Sequence, residues 1–213
     1  MKLDVLDAAL AAVLPLLERG PGRVLVGIAG PPAACKATLA AAIASAVTVR
    51  LSAPAVEVSM DGFHLANAEL ERLHLTDRKG APETFDAGGF VHLLRRLRAA
   101  DPAEVVYAPV YSRVLHESIG SAVPIAPEVR LIVIEGNYLL LPEPPWSGVR
   151  ELLDLALYLD AGDQARYRSL LRRHVARGLD TDAAHDWVVR SDEANARLIA
   201  DTRDRADLVL HRR

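Results

Sequence analysis

The sequence predicts an α/β fold, a mostly parallel sheet with helices on both faces. Three observations predict it. Short apolar runs alternate with longer helical stretches along the chain. The first strong run, Val24–Ala29 (VLVGIA), is continuously apolar, as a strand buried on both faces has to be. That run opens through Gly30 into a loop and then an alanine-rich stretch, a strand–loop–helix unit. With 213 residues, 51% of them hydrophobic, the chain fills one core, so a single domain over 1–213 is expected.

The elements follow in order. Residues 8–17 form an apolar run read as a first amphipathic helix, stopped by Gly20-Pro21-Gly22. Asp4 and Asp7 outweigh Lys2 ahead of it, which is the wrong charge for a secretory leader. After the first strand, residues 36–46 predict a helix rich in alanine. Residues 56–60 read as a strand. Residues 86–99 read as a helix with Asp86 as N-cap and basic residues near its C-terminal end. Residues 105–111 are a strand candidate. Residues 131–134 are the most apolar strand, and it ends in Glu135-Gly136. Residues 155–159 add another strand, 163–177 and 182–200 two helices, and 206–210 a last strand. In such sheets, ligands bind outside the carboxyl ends of the strands.

Composition excludes several classes. Charged residues make up 25% and the formal net charge is −3, so no nucleic-acid-binding surface is expected. No stretch is long enough to span a membrane. A single cysteine, Cys35, rules out an intrachain disulfide and fits a reducing cytoplasm.

The loop after the first strand reads Gly30-Pro31-Pro32-Ala33-Ala34-Cys35-Lys36-Ala37-Thr38. Gly30 and Lys36 have the spacing of G-x-x-x-x-G-K-[ST], in which backbone N–H groups and a helix N-terminus hold phosphates and the lysine reaches the outer ones. Two positions depart. Cys35 stands where a glycine lets the backbone approach the phosphates. Ala37 stands where a hydroxyl would ligate Mg²⁺. Thr38 is turned about 100° further round the helix and is no simple replacement. The plain alternative is a Gly-Pro turn before an ordinary helix.

Other segments gather at strand ends. Met60-Asp61-Gly62-Phe63-His64 places Asp61 where a general base for a hydroxyl would sit; read alone, Asp61 is more simply an N-cap before a helix at Leu65. Residues 78–86 (RKGAPETFD) form a loop of mixed charge. Residues 108–113 (APVYSR) end a strand with polar and aromatic groups. Glu135-Gly136-Asn137-Tyr138 puts a carboxylate at the end of a buried strand, which is costly without a partner or a metal. Arginines cluster from Arg166 to Arg177; an exposed basic helix face is the simple reading, above all for Arg166, Arg168 and Arg172.

Together the segments MDGFH, RKGAPETFD, APVYSR, IEGNYLLL and RSDEAN resemble the P-loop kinase superfamily of pantothenate kinase, uridine kinase and phosphoribulokinase. The likeness is greatest to a bacterial nucleoside/nucleotide kinase branch with fructokinase-type members. It runs from Val24 to about Leu210. The resemblance implies the three-layer αβα fold of P-loop NTPases with a helical lid near 163–180. It implies ATP and Mg²⁺, with Lys36 on the β- and γ-phosphates, Asp61 as catalytic base and Glu135 on the metal. It also implies an acceptor pocket lined by His64, Arg78, Lys79, Tyr111 and Arg113, with Asn137 and Asn195 as further contacts. Arg173 and Arg177 become the lid arginines that clamp the transferred group.

Three functions fit: an ATP-dependent kinase for a small hydroxyl compound (a nucleoside, a pantothenate-like compound or a sugar), a weak or inactive relative that binds such a metabolite, and a nucleotide-binding regulatory protein. The acceptor motifs, Lys36, Asp61 and Glu135 all remain, which favours the first. The partners expected are ATP and the acceptor, with homodimerisation left open.

Overall fold

Helix α1 (Leu3–Glu18) precedes β1 (Val24–Ala29), and α2 (Lys36–Leu51) follows the Gly30 loop. β2 (Ala55–Ser59) passes through a 3₁₀ turn, Met60–Phe63, to α3 (Asn67–Arg72). Next come α4 (Ala87–Ala99), β3 (Val106–Ser112), β4 (Glu117–Ile125) and β5 (Leu131–Glu135). The chain continues with β6 (Leu155–Ala161), α5 (Asp163–Ala176), α6 (Thr181–Trp187), α7 (Glu193–Ala200) and β7 (Leu208–Arg212). This computed structural model describes residues 3–176 and 178–212.

β2, β5, β1, β6 and β7 form one sheet in that order, every pairing parallel. Alternate residues of the inner strands feed two cores. Val24, Val26 and Ile28 of β1 and Leu131 and Val133 of β5 pack against Val13 of α1 and Leu39, Ile43 and Val47 of α2. Leu25, Ile132 and Ile134 pack instead with Phe90, Leu94 and Leu97 of α4. Both faces are covered, which is why these strands read as unbroken apolar runs. β1 has β5 on one side and β6 on the other, so the chain changes direction there and opens a crevice at its carboxyl end.

The expected helix over residues 86–99 begins as predicted, with the Asp86 carboxylate accepting from Gly89 N–H at 2.8 Å. α2 runs to Leu51 rather than to residue 46, because Val47 is fully buried and tertiary packing outweighs the low helix propensity of a β-branched run.

The strand expected over 105–111 lies outside the parallel sheet. β3 pairs antiparallel with β4, an element the sequence reading passed over, and the two form a separate hairpin. The register shifts between Ala108 and Val110, at Pro109, which has no N–H to give to a ladder. The hairpin closes on the turn after β2, where a Cβ on Gly62 would lie 2.5 Å from the Pro109 carbonyl oxygen. Residues 182–200 are likewise not one α-helix: a π-helical turn, Val188–Asp192, separates α6 from α7.

The α5 arginines divide. Arg168 and Arg172 are exposed as expected, but Arg166 is only 2% exposed. Its Nη1 donates to the Pro32 carbonyl at 3.2 Å, and its Nη2 to Glu193 Oε1 at 3.0 Å and Asp163 Oδ1 at 3.2 Å. A guanidinium can be buried there because its fork finds acceptors on three segments.

Candidate active site

The crevice at the end of β1 is formed first by backbone. Gly30 has φ 150°, and a Cβ there would sit 2.5 Å from the Leu159 carbonyl oxygen. Ala33 (φ 63°) and Cys35 (φ 72°, ψ 35°) are left-handed. Cys35 therefore keeps the backbone shape of the glycine position, at a cost of about 1–2 kcal/mol for a residue with a Cβ. Interspersed left-handed residues turn N–H groups into a concave, anion-accepting surface.

Lys36, the first residue of α2, is 7% exposed. Its ammonium donates to Asn137 Oδ1 at 2.6 Å and to the Pro31 carbonyl at 3.2 Å. Burial lowers its pKa; Glu135 and Asp61 oppose that, while Arg173 and Arg166 add to it. Glu135 is raised, first by burial and further by Asp61, with Lys36 pulling the other way. Ser59 and Glu135 are register partners on β2 and β5, and the Ser59 hydroxyl donates to the Glu135 carboxylate. The same hydroxyl accepts from Asp61 N–H at 3.2 Å, so one serine ties together the backbone of one acid and the side chain of the other. Asp61 lies within the 3₁₀ turn, whose N-cap is Ser59, and α3 begins only at Asn67. It is thus not the cap of a helix at Leu65.

Lys36, Asp61, Glu135 and Asn137 line one cavity of about 510 Å³, which continues to a second, more basic end. His64 donates from Nδ1 to the Asp61 carbonyl at 2.8 Å and packs, tilted, against the rings of Phe85 (4.0 Å between ring centres) and Tyr111 (4.7 Å). Lys79 lies 5.3 Å from the Tyr111 ring centre and donates to the His116 carbonyl at 2.9 Å and to Asn67 Oδ1. Arg113 and His116, from the hairpin tip, complete this end.

The helices after β6 close the third side. Arg173 lines the cavity, as do His174 and Asp192, which are joined at 2.7 Å from Nε2 to Oδ2. Asn195 Nδ2 donates to the Gly80 carbonyl at 3.4 Å, and Tyr138 O–H donates to the same oxygen at 2.5 Å, tying α7 and the β5 end to the 78–86 loop. The buried phenol is held far above its ordinary pKa, so it stays a donor.

Pro32, Ala33, Cys35, Lys36, Ala37, Thr38, Asp61, His64, Lys79, Tyr111, Arg113, Glu135, Asn137, Arg173 and Asn195 thus share one cavity. Asn137, expected at the acceptor, sits against Lys36. Arg78 lies outside the lining, exposed and paired with Glu83 at 2.7 Å. Arg177 lies outside the described residues. Sequence reasoning missed Ser59, Asn67, Thr76, His116, His174 and Asp192. Only the last two stood in segments already singled out.

The residues fit a nucleotide and a metal. The left-handed loop and a buried lysine suit phosphates, and two carboxylates beside it suit Mg²⁺, which keeps waters and phosphate oxygens among its ligands. Ala37 contributes no side-chain oxygen. Cys35, half-buried, borders both this cavity and a neighbouring one lined by Arg168, Arg172 and Arg212. Iodoacetamide is expected to label it, and saturating Mg·ATP to slow that labelling severalfold. Labelling at an unchanged rate would place the thiol outside the nucleotide's footprint.

Known proteins give the arrangement a context. A candidate fructose transport system kinase from Silicibacter sp. TM1040 shares 40% identity and superposes with a TM-score of 0.87 over 96% of this chain and 98% of its own. A candidate uridine kinase of Schizosaccharomyces pombe is 33% identical over 195 residues, 88% of this chain and 83% of its own. The pantothenate kinase of Sinorhizobium medicae is 30% identical over 217 residues, and this chain spans 65% of its length. Residues 25–213 match the profile of the Phosphoribulokinase / Uridine kinase family, and the chain belongs to that family of P-loop kinases.

Proposed function

We propose that this protein transfers the γ-phosphoryl group of ATP to a hydroxyl of a small molecule, with the acceptor bound between His64, Tyr111 and Lys79. Kinase-family membership makes it a phosphotransferase. The observation that carries the reading is the joining of two halves in one cavity: a left-handed phosphate loop with Lys36, and Asp61 with His64 and Tyr111.

Asp61 takes the acceptor's hydroxyl proton as that oxygen bonds to the γ-phosphorus. The bond from phosphorus to the β,γ-bridging oxygen breaks, and ADP departs with that electron pair. Lys36 and Arg173 offset negative charge on the transferred group. Asn137 keeps Lys36 aimed into the loop, and Ser59 fixes Glu135 and the Asp61 backbone together. Glu135 would hold Mg²⁺, directly or through water, and the ion would supply charge neutralisation on the phosphates. The segment 163–180 acts as the lid that carries Arg173 and excludes water.

Phosphorylation of hydroxyl acceptors by Mg·ATP, followed over a panel of nucleosides, sugars and hydroxy acids, tests the reading. The altered loop gives a second measurement. Ala37→Ser with Cys35→Gly is expected to raise kcat/KM about tenfold or more, roughly 1.4 kcal/mol. Because Cys35 already holds the left-handed shape, most of that gain should come from the serine and vanish without Mg²⁺. Cys35→Gly alone should mainly raise stability, by under about 1 kcal/mol, as relief of strain offsets glycine's greater chain entropy. Nucleotide binding with no transfer by either protein would favour a metabolite-binding role.

A further inference from the structure

The cavity is asymmetric in charge. At its phosphate end Lys36 is balanced by Glu135 and Asp61, which both act to raise its pKa. At the other end stand Lys79, Arg113 and the imidazoles of His64 and His116; the remaining carboxylate of the lining, Asp192, is joined to His174 at 2.7 Å. Among the described residues, neither Lys79 nor Arg113 has an ion-pair partner. The carboxylate of Glu117 is turned to Asn67 N–H, at 3.0 and 3.2 Å. The oxygens that meet Lys79 are neutral, the Asn67 amide and the His116 carbonyl. They orient the ammonium without neutralising it, and its contact with the Tyr111 face leaves the charge in place. The imbalance therefore lies at the end reached from Asp61 through His64 and Tyr111, where the acceptor's far side would sit.

We propose that the acceptor is an anionic hydroxy compound, its hydroxyl at Asp61 and its carboxylate or phosphate ester between Lys79 and Arg113. This rests on the kinase reading above and narrows it, setting aside neutral nucleosides and free sugars as preferred acceptors. An anion there gives both cations a charged partner, which a neutral acceptor does not. Arg113 offers a planar fork for two oxygens and Lys79 a point charge already held in place.

The test uses matched pairs differing in that charge: D-glycerate and glycerol, pantothenate and pantothenol, ribulose 5-phosphate and ribulose. Binding to the full chain is measured by calorimetry without nucleotide, then phosphorylation with Mg·ATP. The anionic member of at least one pair is expected to bind at least tenfold more tightly than its neutral counterpart. Which pair responds distinguishes a carboxylate from a phosphate ester. Arg113→Gln, at an exposed position with no side-chain partner to lose, and Lys79→Gln should each cut that preference about tenfold, whatever either does to the affinity common to both members of a pair. Circular dichroism checks that both variants fold. Equal affinity within every pair, no binding of any anionic member, or a preference untouched by both variants overturns the proposal. Charge-selective binding without phosphorylation would keep this site and count against the kinase reading. Phosphorylation of a neutral acceptor with no charge preference would do the reverse.

Discussion

Asp61→Asn is expected to lower kcat by about 10²-fold or more, the scale on which a general base contributes. The substitution keeps size, shape and backbone, so the link from Asp61 N–H to Ser59 and from His64 to the Asp61 carbonyl persist. What it removes is the ability to take a proton. Acceptor affinity measured without nucleotide should survive. The change also removes a charge felt by both neighbours. Glu135 loses a repulsion that raises its pKa, and Lys36 loses an attraction that opposes the lowering by burial. Both pKa values should therefore fall, and the residual activity should follow a pH profile displaced toward acid. A variant with unchanged kcat would remove Asp61 from the reaction.

Replacing Arg166 is expected to be the most damaging change outside the cavity. Arg166→Met keeps much of the volume but leaves the Pro32 carbonyl without its donor and Glu193 without its cation. Breaking a buried pair by removing one partner costs about 3–5 kcal/mol. Part of that is offset, because Glu193 is a quarter exposed and can be hydrated, and because Arg166 Nε is itself buried with no partner. A loss of about 2–3 kcal/mol in urea unfolding is expected. Nucleotide binding should weaken with it, since the arginine holds the phosphate loop to α5 and α7. An unfolding midpoint unchanged from the native protein would mean that the guanidinium is compensated elsewhere.

These two residues also mark what could be read in advance. Asp61 was legible because its place depends on local order, a strand end followed by a turn. The parallel strands were legible for the same reason: burial on both faces leaves an unbroken apolar run. Arg166 was misread because nothing local separates it from Arg168 and Arg172; only the approach of Pro32 and Glu193, remote in sequence, makes its position interior. β4 escaped because Glu117–Ile125 is exposed along most of its length and carries glycine, serine and proline instead of a period-two pattern. The π-helical turn, Val188–Asp192, carries no residue signature either. Ser59 gave no sign because its importance lies in a cross-strand register with Glu135.

The β3–β4 hairpin gives the molecule an uneven capacity to change. It belongs to its own two-stranded sheet, and it supplies Tyr111, Arg113 and His116 to the cavity but none of the groups around Lys36 and Glu135. Mutational drift or deliberate grafting at its tip can rewrite which molecule is accepted while the machinery that handles phosphate stays as it is. Paralogues that share the central sheet and differ between residues 111 and 118 should accordingly diverge in diet before they diverge in chemistry.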